Sequence, residues 1–331
     1  MYSAATLALL ASSALAAPVL EKRASNIDAT ILNYALTLEH LEDTFYQQGL
    51  KNFTQAQFAA AGYPALFYKN LQEISSDETT HVNFLTTALK AAGATPVAAC
   101  TYNFGVTSVQ SFIATANILE GVGISAYLGA AQNITAPAYL EAAGAILTVE
   151  SRHSSYIRAS TQPAGTLSPF PAPFDTPLDF DEVYSLAAQF ISSCPKSNPA
   201  LPVKAFPVLT FTNGVAPVNG TNVNAKANTG PVAPGSTITL TLQTGTLSGQ
   251  AQVAFPQITG PVFADAKIVN GGKAVTAVVP QGLLNGQTYA LLTLWNHHRH
   301  RREHPRWSRC LRHCRLSGSL LGKKFDTGLS L

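Results

Sequence analysis

The sequence predicts an α+β protein built in separate parts, an antiparallel four-helix bundle followed by a β-sandwich-like domain. Three observations carry this. Residues 25 to about 160 show long, regular apolar spacing with few β-branched runs. From Leu201 to Leu294 the texture changes to short Val/Thr/Ile runs cut by Gly, Pro and Asn. Between them, residues 161–180 carry five prolines, Pro163, Pro169, Pro171, Pro173 and Pro177, which favour extended chain.

The elements follow in order. Met1 to Ala17 holds an apolar run ending in small residues, and is expected to be a secretory signal peptide. Leu20-Glu21-Lys22-Arg23-Ala24 is a dibasic processing site, making 18–23 a short propeptide and 24–160 the bundle. The first helix is expected from Asn26 to about Gln48, on the stripe Ile27, Ile31, Tyr34, Leu38, Leu41 and Phe45, with Gly49 as its stop. The second starts near Pro64 and ends near Gly93; the third follows a Thr107 or Ser108 cap and ends near Asn133. The fourth runs from about Pro137 to Ser160, and an antiparallel bundle is the economical packing for four such helices. Within the Pro-rich segment 161–200, a fifth helix is expected over Asp181–Ser192. In the domain 201–294, strands are expected at Val208–Thr212, Ser236–Leu242, Ala251–Phe255, Ala274–Val279 and Tyr289–Thr293, a small sandwich. No stretch after the leader is expected to be long and apolar enough to span a membrane.

Charge and composition set the functional classes. At 12% charged and 46% hydrophobic residues, the chain is not a disordered polyelectrolyte. The net charge of +3 is misleading. Residues 295–331 hold nine Lys/Arg against Glu303 and Asp326, a net of +7, so the rest of the chain carries −4. That tail also holds both Trp and five of the eight His, and is expected to be disordered or translated out of frame, outside the fold. An acidic, secreted body argues against nucleic acid as a partner; cell wall or extracellular matrix is the expected surrounding. Cys100 and Cys194 can form one disulfide in an oxidising compartment, and no CxxC occurs. Asn52, Asn133 and Asn219 begin glycosylation sequons. The β region has no His, and between Pro195 and Leu294 its one acid is Asp265, so acid–base or metal chemistry belongs to the bundle.

Outside the tail there are three histidines, and two of them sit in Glu78-x-x-His81 and Glu150-x-x-His153. Positions i and i+3 share a helix face. The second helix reads Phe67, Leu71, Ile74, Glu78, His81, Leu85, and the fourth reads Tyr139, Ala143, Ile146, Glu150, His153, Ile157. The two stripes repeat at a constant offset of 72 residues, and each puts a carboxylate and an imidazole where a core residue belongs. A buried carboxylate is costly unless paired or metal-bound, which points to a metal site. The third helix offers Glu120 and the first offers Glu39 or Glu42. An offset of 81 pairs Leu38 with Leu119, Glu39 with Glu120 and Tyr46 with Tyr127, so Glu39 is the chosen ligand. Glu42 falls opposite Gly123 and is expected to stand behind the ligands. His40 points away from Glu39, and Arg152 with Arg158 reads as a solvated face.

The order Glu39, Glu78-x-x-His81, Glu120, Glu150-x-x-His153 resembles the ligand set of the ferritin-like di-iron carboxylate proteins. The spacing from Glu39 to Tyr46, repeated from Glu120 to Tyr127, is similar to that family too. More narrowly, Leu-Glu-His-Leu-Glu-Asp-Thr-Phe-Tyr46 and the appended β region resemble secreted fungal ferritin-like proteins of stress response and late sexual development. The resemblance implies two ions, iron or manganese, with Glu78 and Glu150 as bridges and Glu39, Glu120, His81 and His153 as terminal ligands. Tyr46 and Tyr127 would hydrogen-bond the carboxylates from behind. Two classes of function follow: a di-metal protein reacting with O2 or peroxide, or a non-enzymatic extracellular stress protein whose site is empty or structural.

Overall fold

A computed structural model describes residues 26–161, 167–213, 232–295 and 320–327. The expected leader and dibasic site, Asn219, Cys310 and Cys314 lie outside the described residues.

Four long helices form the bundle: α1 (Asn26–Asn52), α3 (Ala65–Ala91), α4 (Val109–Ala131) and α5 (Pro137–Ser160), with a short α2 (Gln55–Ala60) between the first two. Local chemistry starts them where the sequence indicates. Thr54 caps α2 in a reciprocal box with Gln57, Ser108 caps α4 with Ser111, and Pro137 opens α5. Helix α1 does not stop at Gly49. A Cβ there would lie 2.0 Å from Phe112 Cε2, so the glycine serves close packing of two helices rather than termination. Helix α4 corrects a second expectation, because it is long and apolar enough to cross a membrane by length and composition. It is apolar all round because α1, α5, the later α6 and the sheet surround it.

Apolar layers lie on either side of one polar layer. Phe45, Phe58, Phe67 and Phe112 pack on one side, and Leu36, Leu85, Leu89 and Tyr139 on the other. Along α1 the order is Leu36, Glu39, Phe45; along α3 it is Ile74, Glu78, His81, Leu85.

The fifth helix, α6 (Phe180–Ala187), is shorter than expected. Chain that was assigned to it instead forms β2 (Ile191–Ser193), which pairs antiparallel with β1 (Thr101–Tyr102) next to the Cys100–Cys194 disulfide. Arg158 is also not a solvated residue. It is buried and donates from Nε to Ser168 O at 2.7 Å, anchoring the Pro-rich strap to α5. Arg152 is exposed.

The β part is one antiparallel sheet in the order β3-β4-β7-β6-β5-β8-β9. Its strands are β3 (Leu209–Asn213), β4 (Thr237–Leu242), β5 (Gln250–Phe255), β6 (Val262–Val269), β7 (Ala274–Val278), β8 (Gly286–Trp295) and β9 (Leu320–Thr327). Hydrogen bonding is continuous and β3 lies against β9, so the sheet rolls round one core containing Phe211, Leu240, Val253, Phe255 and Leu292. Strand β6 was not expected: its inward residues Ala264 and Ala266 are small, which weakens the alternating signal. Strand β9 lies in the tail read as outside the fold. Six residues of this Pro-free strand pair with the open edge of β8, from Gly286↔Thr327 to Leu292↔Leu320, with a register shift between Thr288 and Ala290. On the sheet's other face Ala254, Tyr289 and Leu291 join the bundle core. There Tyr289 donates its hydroxyl to Gly121 O at 2.9 Å and meets Ser125 Oγ at 2.8 Å.

Candidate metal centre

All six ligand-type residues meet in the polar layer. Helix α1 supplies Glu39, α3 supplies Glu78 and His81, α4 supplies Glu120, and α5 supplies Glu150 and His153. They form two tetrads, Glu39–Glu78–His81–Glu150 and Glu78–Glu120–Glu150–His153, in each of which one donor atom per residue lies within 4.8 Å of the others. Glu78 and Glu150 belong to both. The four carboxylates are fully buried and the two imidazoles nearly so. His81 Nδ1 lies 3.2 Å from Glu39 Oε2, 3.3 Å from Glu78 Oε2 and 3.4 Å from Glu150 Oε1. His153 Nδ1 lies 3.0 Å from Glu78 Oε1 and 3.4 Å from Glu120 Oε2.

The tyrosines cross over between helices. Tyr46 of α1 donates to Glu120 Oε1 of α4, and Tyr127 of α4 donates to Glu39 Oε1 of α1. Each bond fixes a carboxylate rotamer and leaves its other oxygen turned inward. Asp77, which the sequence did not single out, accepts from His153 Nε2 at 3.1 Å. That bond puts a proton on Nε2 and turns Nδ1 towards the carboxylates of Glu78 and Glu120. Glu42 is buried beside the cluster, with Oε1 directed at Gly123. His40 stands apart, donating from Nε2 to Val97 O at 3.1 Å. Asn52 is exposed and Asn133 half-buried, both at helix ends.

The donor set fits cations. Glu78 Oε1, Glu120 Oε2, both oxygens of Glu150 and His153 Nδ1 are buried without a hydrogen-bond partner among the described residues. Carboxylate oxygens crowded into a buried space are costly unless positive charge sits among them. The electrostatics agree in direction. Burial, then the charge of Glu78, pushes Glu150 well above the ordinary carboxylate range; burial, then Glu150, does the same to Glu42. Burial raises Glu78 to about 7, against the opposing pull of the His153 and His81 imidazoles. Burial alone would lower both imidazoles, but Glu120 and Glu78 bring His153 up to about 11, and Glu150, Glu39 and Glu78 raise His81 as well. Burial and the facing glutamates raise both tyrosines, which keeps them neutral donors.

Residues 27–163 match the family model of the ferritin-like domain. Over this stretch the chain is similar to a ferritin-like domain. A relative, protein rds1 of Schizosaccharomyces pombe, is 30% identical over 208 residues, covering 60% of this chain and 50% of its own length. The chain thus matches about half the length of this curated relative. Within this ferritin-like region, the buried Glu/His cluster can hold metal ions.

Proposed function

We propose that the ferritin-like domain holds two divalent transition-metal ions and turns over O2 or peroxide with them outside the cell. The single observation that carries this reading is the pair of tetrads sharing Glu78 and Glu150. Glu78 and Glu150, common to both tetrads, would serve both ions, with Glu39 and His81 holding one and Glu120 and His153 the other. Four carboxylates balance the charge of two divalent ions, and a mixed carboxylate–imidazole set suits iron or manganese. When bound, such ions would supply one-electron chemistry towards oxygen species. The chain's own residues do the rest: the tyrosines and Asp77 hold the ligands in place, and the aromatic and leucine layers exclude bulk water. The Cys100–Cys194 disulfide and the exposed Asn52 sequon support an oxidising, extracellular setting. Cell wall or matrix is the surrounding proposed for it, in stress or development.

The test is to load the metal-free protein with Fe(II) without air and then admit O2 or peroxide. Oxidant consumption tied to bound iron supports the reading. A protein that binds iron yet leaves both oxidants untouched points to the non-enzymatic extracellular role.

A further inference from the structure

We propose that Glu42 is a fifth carboxylate ligand of this centre, reaching it on the Glu150 side, and that Gly123 exists to make room for it. The proposal rests on the two-ion reading above. The α1 and α4 helices mirror one another through the site. Glu39 corresponds to Glu120 and Tyr46 to Tyr127, and each tyrosine bonds the other helix's glutamate. One turn past the glutamates the correspondence breaks, with Glu42 on α1 against Gly123 on α4. The break is spatial as well as sequential. A Cβ at Gly123 would lie 3.1 Å from Glu42 Oε1 and 3.3 Å from Glu150 Oε2. The space a side chain would fill at 123 is therefore taken by carboxylate oxygens from two other helices.

Both oxygens of Glu150 lack a hydrogen-bond partner, and Glu42 is 4% exposed. Two carboxylates brought to one buried point repel, and each has lost its water. A glutamate serving only as packing would gain nothing from that position, and a glycine in mid-helix is itself less favourable than alanine. A cation between the two carboxylates removes both penalties. With Glu42 the site carries five carboxylates, one negative charge more than two divalent ions balance, and the two ion positions cease to be equivalent.

The test uses Co(II) as probe, because its visible absorption reports ligand number and geometry directly. The full chain is titrated as wild type, Glu42→Gln and Gly123→Ala. The glutamine variant keeps the shape and removes the charge. The alanine variant keeps Glu42 but sets a methyl group 3.1 Å from its Oε1. Both are expected to weaken at least one Co(II) by about tenfold or more and to change its absorption bands. Should Glu42→Gln fail to fold, Gly123→Ala carries the test. Wild-type affinity and bands in the folded variants would overturn this proposal alone. A wild type that binds no Co(II) would overturn the two-ion reading and this proposal with it.

Discussion

Gly129→Ala and Gly144→Ala are the same substitution on neighbouring helices, and the structure gives them opposite signs. Alanine for glycine inside a helix stabilises by about 0.5–1 kcal/mol through backbone entropy. At Gly144 in α5 nothing lies within 4 Å of the added Cβ, so the gain stands. At Gly129 in α4 the Cβ would sit 1.7 Å from Leu178 O and 2.7 Å from Leu178 C, backbone atoms that no rotamer change can move. The strap carrying Leu178 has to lift. It is held there by Leu178 N donating to Ser125 O at 3.1 Å and by a leucine side chain 2% exposed. Losing the hydrogen bond costs about 1 kcal/mol. Exposing the leucine costs about 1.5–3 kcal/mol more. Set against the helix gain, Gly129→Ala is expected to destabilise by about 1.5–3.5 kcal/mol. Urea unfolding of both variants beside wild type measures this. Shifts in the same direction, or a Gly129→Ala midpoint within about 0.5 kcal/mol of wild type, would refute the reasoning.

Asp77→Ala removes the partner of His153 Nε2 and is expected to weaken metal binding about 10–100-fold, read by competition with a chelator. Metal loading is expected to release protons. Both imidazoles hold theirs in the metal-free protein, His153 up to about 11, and affinity should rise with pH. Calorimetry in buffers of different ionisation enthalpy checks this, and heats independent of the buffer would contradict it. Burial and the neighbouring Asp179 raise Glu182 from 4.5 to about 8. A folded value above the unfolded one means its contribution is complete below about pH 4.5 and lost as pH rises through about 8. Glu182→Gln keeps the cap of α6 and avoids that loss, so its melting temperature should gain on wild type between pH 5 and 8.

The bundle and the Glu78/His81 and Glu150/His153 pairs were legible because steps of four and three leave one inward face, and polar groups on it have nowhere else to point. Choosing Glu39 over Glu42 needed the repeat, since both lie on the broad buried arc of α1 and both are buried in the structure. Asp77 was not legible. It sits beside Glu78 on the flank of α3, partly exposed, and its partner comes from a helix 76 residues away. Gly49 misled for a related reason. A local rule makes it a helix stop, whereas its real constraint is Phe112 on another helix. Arg158 looked solvated because nothing near it in sequence shows that the Pro-rich strap folds back over α5. In the sheet, pairing supplied what composition lacked. Strand β6 carries alanines on its inner face, and β9 stands in a segment whose charge masks its extended register.

The central claim is a two-ion centre bridged by Glu78 and Glu150. The most direct measurement is the metal content of the folded full chain, reconstituted with iron or manganese, beside Glu78→Ala and Glu150→Ala. Two equivalents per chain are expected in the wild type and loss of both ions in either variant, because Glu78 and Glu150 belong to both tetrads. Two equivalents retained in the variants, or none in the wild type, would contradict it.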